Sequence, residues 1–286
     1  MNHFMNNFVL KNLILKITRF KDLLFNIDNV LRLKTILLED KIYTLTQDNK
    51  TLYREFIYAI LAKNLSSKQR LIIIIGNLNF INKIIPITFI NKLQKKELWL
   101  WISDESTNTS KIRLDFASHG MEGFFRLYYL YNEETIFTIG FTIAPGDIFG
   151  VLNKDVIFIS NMQLIKNRKH QYQCAINNNS KTTPQRNLFY SLFGIAEKFK
   201  INHIVCVDAE SQISNDKGLL SFQATYNDFM STFNGVHYNN YFHLPLPYIE
   251  KDSNIVSSTH RRRNKIKRIF NNKIKNSACL SINKFF

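Results

Sequence analysis

The chain has 286 residues, 45% hydrophobic and 21% charged, with nine Gly, five Pro, 24 Phe and 12 Tyr. That composition supports a buried core and excludes collagen-like, low-complexity and disordered classes. The net charge of +16 comes with 26 Lys, 12 Arg and 33 Asn. AT-rich codon usage yields that mixture without an acidic partner, so only clustering of the charge is informative.

In chain order, residues 1–95 read as a helical region. Phe8, Leu10, Leu13, Ile14, Ile17, Leu24 and Ile27 approximate a 3.6-residue period, and Leu52, Phe56, Ile57, Ile60 and Leu61 form a second stripe. Lys11, Lys16 and Arg19 break up the first stripe, which argues against a secretory signal. Leu71–Ile75 fits a buried strand or a helix equally, and Pro86 marks a kink or a start. That apolar run is too short to cross a bilayer.

From Glu97 the period becomes two. Leu98–Ile102, Lys111–Phe116, Phe124–Tyr131, Thr135–Ile143 and Val156–Ser160 read as strands, with Asn132–Glu134 as a hairpin break. Lys166–Thr183 is a polar stretch. Thr183 then caps a helix that starts at Pro184 and lines one face with Leu188, Leu192, Ile195 and Phe199. Ile201–Val207 reads as a strand buried on both faces. Asn215–Gly218 is a loop, Tyr226–Phe233 a short helix, Tyr241–Leu244 a last strand, and a basic helix closes the chain. The expectation is α+β: N-terminal helices over residues 1–95, then over 96–286 a mostly antiparallel sheet with a crossover helix.

Common catalytic motifs are missing. No phosphate-cradling glycine loop, nucleophile elbow or H-E-x-x-H occurs. Cys174, Cys206 and Cys279 share no close spacing, which excludes a disulfide framework and predicts no metal site. Cys206 reads as a buried small hydrophobe. Asp147 and Asp155 read as solvated loop acids, and the SHGMEG turn could present His119 and Glu122 as an acid–base pair.

Two features carry more. The meander followed by a strand–helix–strand unit resembles acyltransferases of the Gcn5-related type. That resemblance implies phosphates of an acyl donor at the helix start, near Thr183, Gln185 and Arg186. The turn TTPQRN lacks those enzymes' glycines, and Pro184 removes a donor. The second feature is His260–Lys275, with eight Lys or Arg and no acid, half of the excess charge in 16 residues. Such a block binds phosphates on lipid, nucleic acid or a carrier.

Residues from about 97 to 275 resemble the VirK/YbjX family, a bacterial group of unknown function. The matching pieces are Met121-Glu122-Gly123, FTIGFTIA with FISNMQ, the TPQRNLFYSLFGIAEKFKINHIVCV crossover, Tyr226–Phe229 with Asn234-Gly235, HLPLPYIEK and STHRRRNKIKRIF. Asn161 and Met230 stand where Gly and Trp are more usual. The resemblance implies envelope maintenance, virulence and resistance to antimicrobial peptides in Gram-negative bacteria. Its motif residues map onto Glu122, Gln163, Arg186, Tyr226, His260, Arg261 and Arg263.

Two readings follow. In the first, an acyltransferase acts on an envelope component at the cytoplasmic face, with acyl-CoA or an acyl-carrier protein as donor. Glu122 or His260 is then the catalytic base, and Arg186 with Arg261, Arg262, Arg263 and Lys265 holds phosphates or lipid headgroups. In the second, a non-catalytic accessory protein of lipopolysaccharide biogenesis lies on the inner membrane, using Ile266, Ile269, Phe270 and Ile274 beside the cations. Nucleic-acid binding ranks last, since no recognition motif supports it.

Overall fold

The switch of hydrophobic period near residue 97 is the border between helices and sheet. The computed structural model describes residues 20–46, 52–103, 109–117, 120–215, 220–250 and 258–286, and only the backbone of 53, 54 and 258–260. Helices α1 (Ile27–Leu37), α2 (Asp40–Thr46), α3 (Leu52–Glu55), α4 (Ser67–Ile84) and α5 (Ile87–Gln94) come first. Strands β1 (Trp99–Ile102), β2 (Ser110–Phe116), β3 (Phe125–Tyr131), β4 (Glu134–Pro145) and β5 (Asp155–Leu164) follow. Then come α6 (Lys169–Asn178), α7 (Pro184–Phe199), β6 (His203–Val207), α8 (Leu220–Gln223), a π-turn (Ala224–Asp228) and α9 (Phe229–Thr232). Strands β7 (Val236–Tyr238) and β8 (Tyr241–Pro245) and helix α10 (Ser258–Asn283) close the chain.

The eight strands form one open sheet in the order β1-β2-β3-β4-β5-β6-β8-β7. Every neighbouring pair is antiparallel except β5 with β6. A parallel pair needs a crossover, which α6 and α7 supply. The fold is therefore mixed α+β, with helices ahead of a mostly antiparallel sheet.

Leu71–Ile75 is helical. Ser66 and Gln69 make reciprocal capping bonds, at 3.2 and 2.9 Å, that start α4 just before the run. Burial then outweighs β-branched propensity. Gly76 lets Pro145 of β4 approach to where a Cβ would lie 2.6 Å from the proline ring, and Asn77 Oδ1 accepts the Ile143 N–H at 3.1 Å. Pro86 stands at the N-cap of α5, one residue before its first helical position, so it marks a start. Among the described residues no single helix is long and apolar enough to span a membrane, and α4 with α5 reaches that length only as a pair bent by 120°.

Several expectations need correction. The stripe from Leu52 is helical for four residues only, although Phe56, Ile60 and Leu61 are buried in irregular backbone. Polar Lys166–Thr183 contains α6, and the last strand has a hairpin partner in β7. The helix expected from Tyr226 starts earlier, at Leu220. Phe8–Ile17, residues 216–218 and His119 lie outside the described residues, while Leu24 and Ile27 are exposed.

Thr183 caps α7 and Pro184 opens it, as predicted, but α7 is buried on more than one face. Leu188, Leu192 and Ile195 are buried, and so are Phe189, Tyr190, Phe193 and Ala196. The reason is α10. At Gly194 the backbone of α10 comes so close that a Cβ would overlap the Lys275 carbonyl oxygen and stand 3.0 Å from Ala278 Cβ. Ile274, Ala278 and Ile282 of α10 are fully buried, and Phe270 meets Trp101 edge-on at 5.7 Å.

Gly194→Ala cannot be relieved by rotating a side chain, because the obstacle is backbone. Overpacking of this kind costs about 1–3 kcal/mol. The expected result is a thermal midpoint lowered by roughly 2–4 °C per kcal/mol, with faster amide exchange in α10.

On the sheet, His203 Nε2 lies 3.3 Å from His243 Nδ1. Burial, then the neighbouring imidazole, then Lys154 lower His203 to about 4 from 6.5. The unfolded chain takes up this proton from pH 6.5 downward and the folded chain does not, so the contribution is intact above pH 6.5 and lost as pH falls to about 4. Urea midpoints across that window should fall more steeply for the native chain than for His203→Gln.

Candidate functional site

Strand β5 pairs with β6 only from Ile157 to Ile159, yet it continues along β4 to Leu164. Among the described residues, its last positions therefore have one edge without a neighbouring strand. A bulge opposite Gly140/Phe141 adds Ser160 to β5 and re-aims the segment. The helical segment 220–232 covers the open edge: Tyr226 Oη accepts the Met162 N–H at 2.8 Å. From the start of α7, Gln185 Nε2 donates to the Thr225 carbonyl at 2.8 Å and stands 3.6 Å from Met162 Sδ.

A cavity of about 300 Å³ lies at this opening, lined by Glu122, Asn161, Gln163, Gln212, Ser214 and Tyr226 among others. Three residues expected from sequence to be functional, Glu122, Gln163 and Tyr226, are thus brought together from a turn, a strand and a helical segment. Gln212 and Ser214 were not singled out; they sit in a polar loop after β6 where composition offers no signal.

Glu122 is held by two glycines. It ends a short 3-10 turn, Gly120–Glu122, followed by Gly123 at φ +116, a value side chains rarely adopt. A Cβ on Gly123 would lie 2.5 Å from the Phe141 nitrogen, and one on Gly140 would overlap the Glu122 carbonyl oxygen. The Leu61 N–H donates to the Met121 carbonyl at 2.7 Å and ties the turn to the helical region. One Glu122 carboxylate oxygen accepts from Ser214 Oγ at 2.9 Å, and the other is 3.7 Å from an Arg126 nitrogen.

Tyr226 is fully buried, stacked on Phe222 with centroids 6.0 Å apart. Burial pushes its hydroxyl well above the ordinary tyrosine value, with smaller raising effects from Cys206 and Glu122. The phenol therefore stays protonated, and with its oxygen taken by Met162 its proton is left to donate. Gln212 is also buried, and among the described residues its Nε2 has no hydrogen-bond partner. The site thus combines a carboxylate, a proton-bearing phenol and an unsatisfied amide donor. Among the described residues no three His, Cys, Asp or Glu side chains come together as a metal site.

Arg186 lies on the other side of α7. A second cavity, about 440 Å³, is lined there by Thr183, Arg186, Lys267 and Arg268 among others. Arg261, Arg262, Arg263 and Lys265 are instead exposed on the first turns of α10, and the His260 side chain lies outside the described residues. The start of α7 is a poor phosphate cradle: Pro184 has no N–H, and Thr183 Oγ1 accepts that of Arg186 at 3.2 Å.

Gly140→Ala should dislodge the turn that carries Glu122 while leaving the sheet intact. Hydrogen exchange should speed up at residues 121–125 and not in β2; unchanged protection there would mean the turn does not depend on this contact.

A protein-family model described as "Protein of unknown function (DUF535)" matches residues 22–271. No curated protein matches the chain.

Proposed function

Because the chain belongs to the DUF535 family, whose description carries no activity, function must be argued from its own site; we propose that it is an acyltransferase whose reaction centre is the cavity between Glu122 and Tyr226. The observation that supports this is the convergence of a carboxylate and a protonated phenol where β5 parts from β6. The strand order, with one parallel pair beside a crossover helix, agrees with a Gcn5-related likeness. The VirK/YbjX resemblance suggests an envelope component as acceptor.

The step needs an acyl thioester and an amine or hydroxyl acceptor. The acceptor attacks the thioester carbonyl and its proton passes to the Glu122 carboxylate. The carbon–sulfur bond breaks, and the departing sulfur takes the proton of Tyr226 Oη. Tyr226 suits the second role by its position: it lines the cavity, and its oxygen is fixed by the Met162 N–H, which leaves the hydroxyl proton to donate. The closed start of α7 argues against a helix-end cradle for acyl-CoA, so acyl-carrier-protein thioesters belong in the donor panel.

Thiol release from both donor types should be detectable and should fall about a hundredfold in Glu122→Gln and Tyr226→Phe, each checked for native circular dichroism. Folded protein that releases no thiol, and retains no donor in native mass spectrometry, overturns the reading.

One observation favours a second, non-catalytic reading. Ile266 and Ile269 are 49% and 61% exposed on the same turns of α10 as the exposed arginines. An amphipathic basic surface of this kind suits an anionic membrane. Salt-sensitive binding to anionic but not neutral vesicles, in protein without thiol release, is its expected outcome.

A further inference from the structure

The cavity on the far side of α7 has features that the proposed reaction does not use. Arg186 from the first turn of α7 and Lys267 and Arg268 from α10 converge on it. The acid at this cavity, Glu250, is already engaged: its carboxylate pairs with Arg268 at 2.5 Å and accepts the Tyr190 hydroxyl. Among the described residues, positive charge therefore exceeds negative inside it. Burial, followed by the nearby Arg263 and Arg186, lowers the Lys267 ammonium from its ordinary value, which fits crowding of cations.

Two buried polar groups line the same space without partners among the described residues. Thr182 is 2% exposed and Asn271 3% exposed, yet among the described residues neither Thr182 Oγ1 nor Asn271 Oδ1 has a hydrogen-bond partner. Buried polar atoms left unpaired cost about 1–3 kcal/mol, so such groups normally meet a ligand or water. The threonine hydroxyl can donate, and a half-turn of the asparagine amide exchanges its acceptor for a donor. Arg186 is held ready: its guanidinium lies over the Phe233 ring, 4.4 Å from the centroid.

Beside this mouth is an apolar groove of about 260 Å³, formed partly by Phe193, Ile201, Leu246 and Pro247. Tyr248 and Glu250 line both spaces. We infer that the mouth is a binding site for a phosphate ester, with Arg186 and Lys267 as its charge-bearing ligands and Thr182 and Asn271 as neutral donors. The chemistry comes from two sources, a soluble phosphate or a lipid headgroup, and the neighbouring groove distinguishes them, because only the lipid has a tail to fill it.

Calorimetric titration of the full chain with inorganic pyrophosphate and with monomeric dihexanoyl phosphatidate tests this. At least one should bind, and Arg186→Gln and Lys267→Gln should each weaken it at least about tenfold. Phosphatidate binding tenfold tighter than pyrophosphate assigns the site to a lipid; equal binding assigns it to a soluble phosphate. Lys267 is on an outer helix, so its variant keeps the test valid if Arg186→Gln fails to fold. Glu122→Gln and Tyr226→Phe should leave these affinities unchanged, which separates this site from the reaction centre. No binding by folded protein, or binding that both cation variants retain, overturns the assignment.

Discussion

The functional geometry rests on the absence of one side chain. At Gly194 the crossover helix admits the backbone of α10 to a distance no Cβ would permit. Close helix contact of this kind buries Ile274, Ala278 and Ile282 on one side and Tyr190 and Phe193 on the other. It also fixes the rotation of α10. Once Ile274 faces the core, Lys267 and Asn271, seven and three residues earlier, lie on nearly the same side of the helix. They therefore meet Arg186 at the start of α7. The same rotation turns Ile266 and Ile269 outward, so packing alone sorts a basic apolar helix into a docked face and a free one.

The opening on the other side of α7 has a similar origin in backbone contact. Gly140 and Gly123 let the turn at Glu122 rest directly on β4, and the bulge at Ser160 turns β5 away from β6 just beyond that point. A sheet with a strand edge exposed normally needs a cover. Here the cover is Tyr226, whose hydroxyl takes the Met162 N–H. The residue that satisfies the backbone is thus also a residue that lines the cavity.

Much of this was legible in the sequence. Period-two alternation and strand-forming residues located β1 to β5 within a few residues, and Thr183-Pro184 marked the start of α7 to the residue. Burial alternates along β2 and β3, whereas β4 and β5 are buried on both faces and were located by their β-branched and aromatic residues. Leu71–Ile75 was ambiguous because an apolar run in a fully buried element has no period, and the capping pair at Ser66 and Gln69 is what settles it. Helix α6 was missed because its face toward the core is small: Ala175 is its one buried residue. In the site, the motif residues Glu122, Gln163 and Tyr226 were found and Lys267 fell within the basic block without being singled out, but Gln212, Ser214 and Asn271 were not found. Those are polar residues that only tertiary contact brings to a cavity. The glycines at 140 and 194 read as ordinary strand and helix residues until the neighbour that touches them is known.

The first turn of α7 separates two kinds of chemistry. Successive residues on a helix point about 100° apart. Gln185 accordingly reaches Thr225 and Met162 beside the carboxylate–phenol cavity, while Arg186 reaches Phe233 and the cationic mouth. The segment 220–232 continues the division: Tyr226 lines the first cavity, and Phe229 and Thr232 line the second. It does so across a π-turn, a rare geometry that concentrates at functional sites. Because the extra residue of that turn shifts the helix register, Tyr226 and Phe229 face apart more than three residues of regular α-helix would place them. A displacement of this one segment alters a wall of both cavities at once. The cavities at Arg186 and at Tyr226 are thus joined by a single short element, with Gln185 bonded to it from the start of α7.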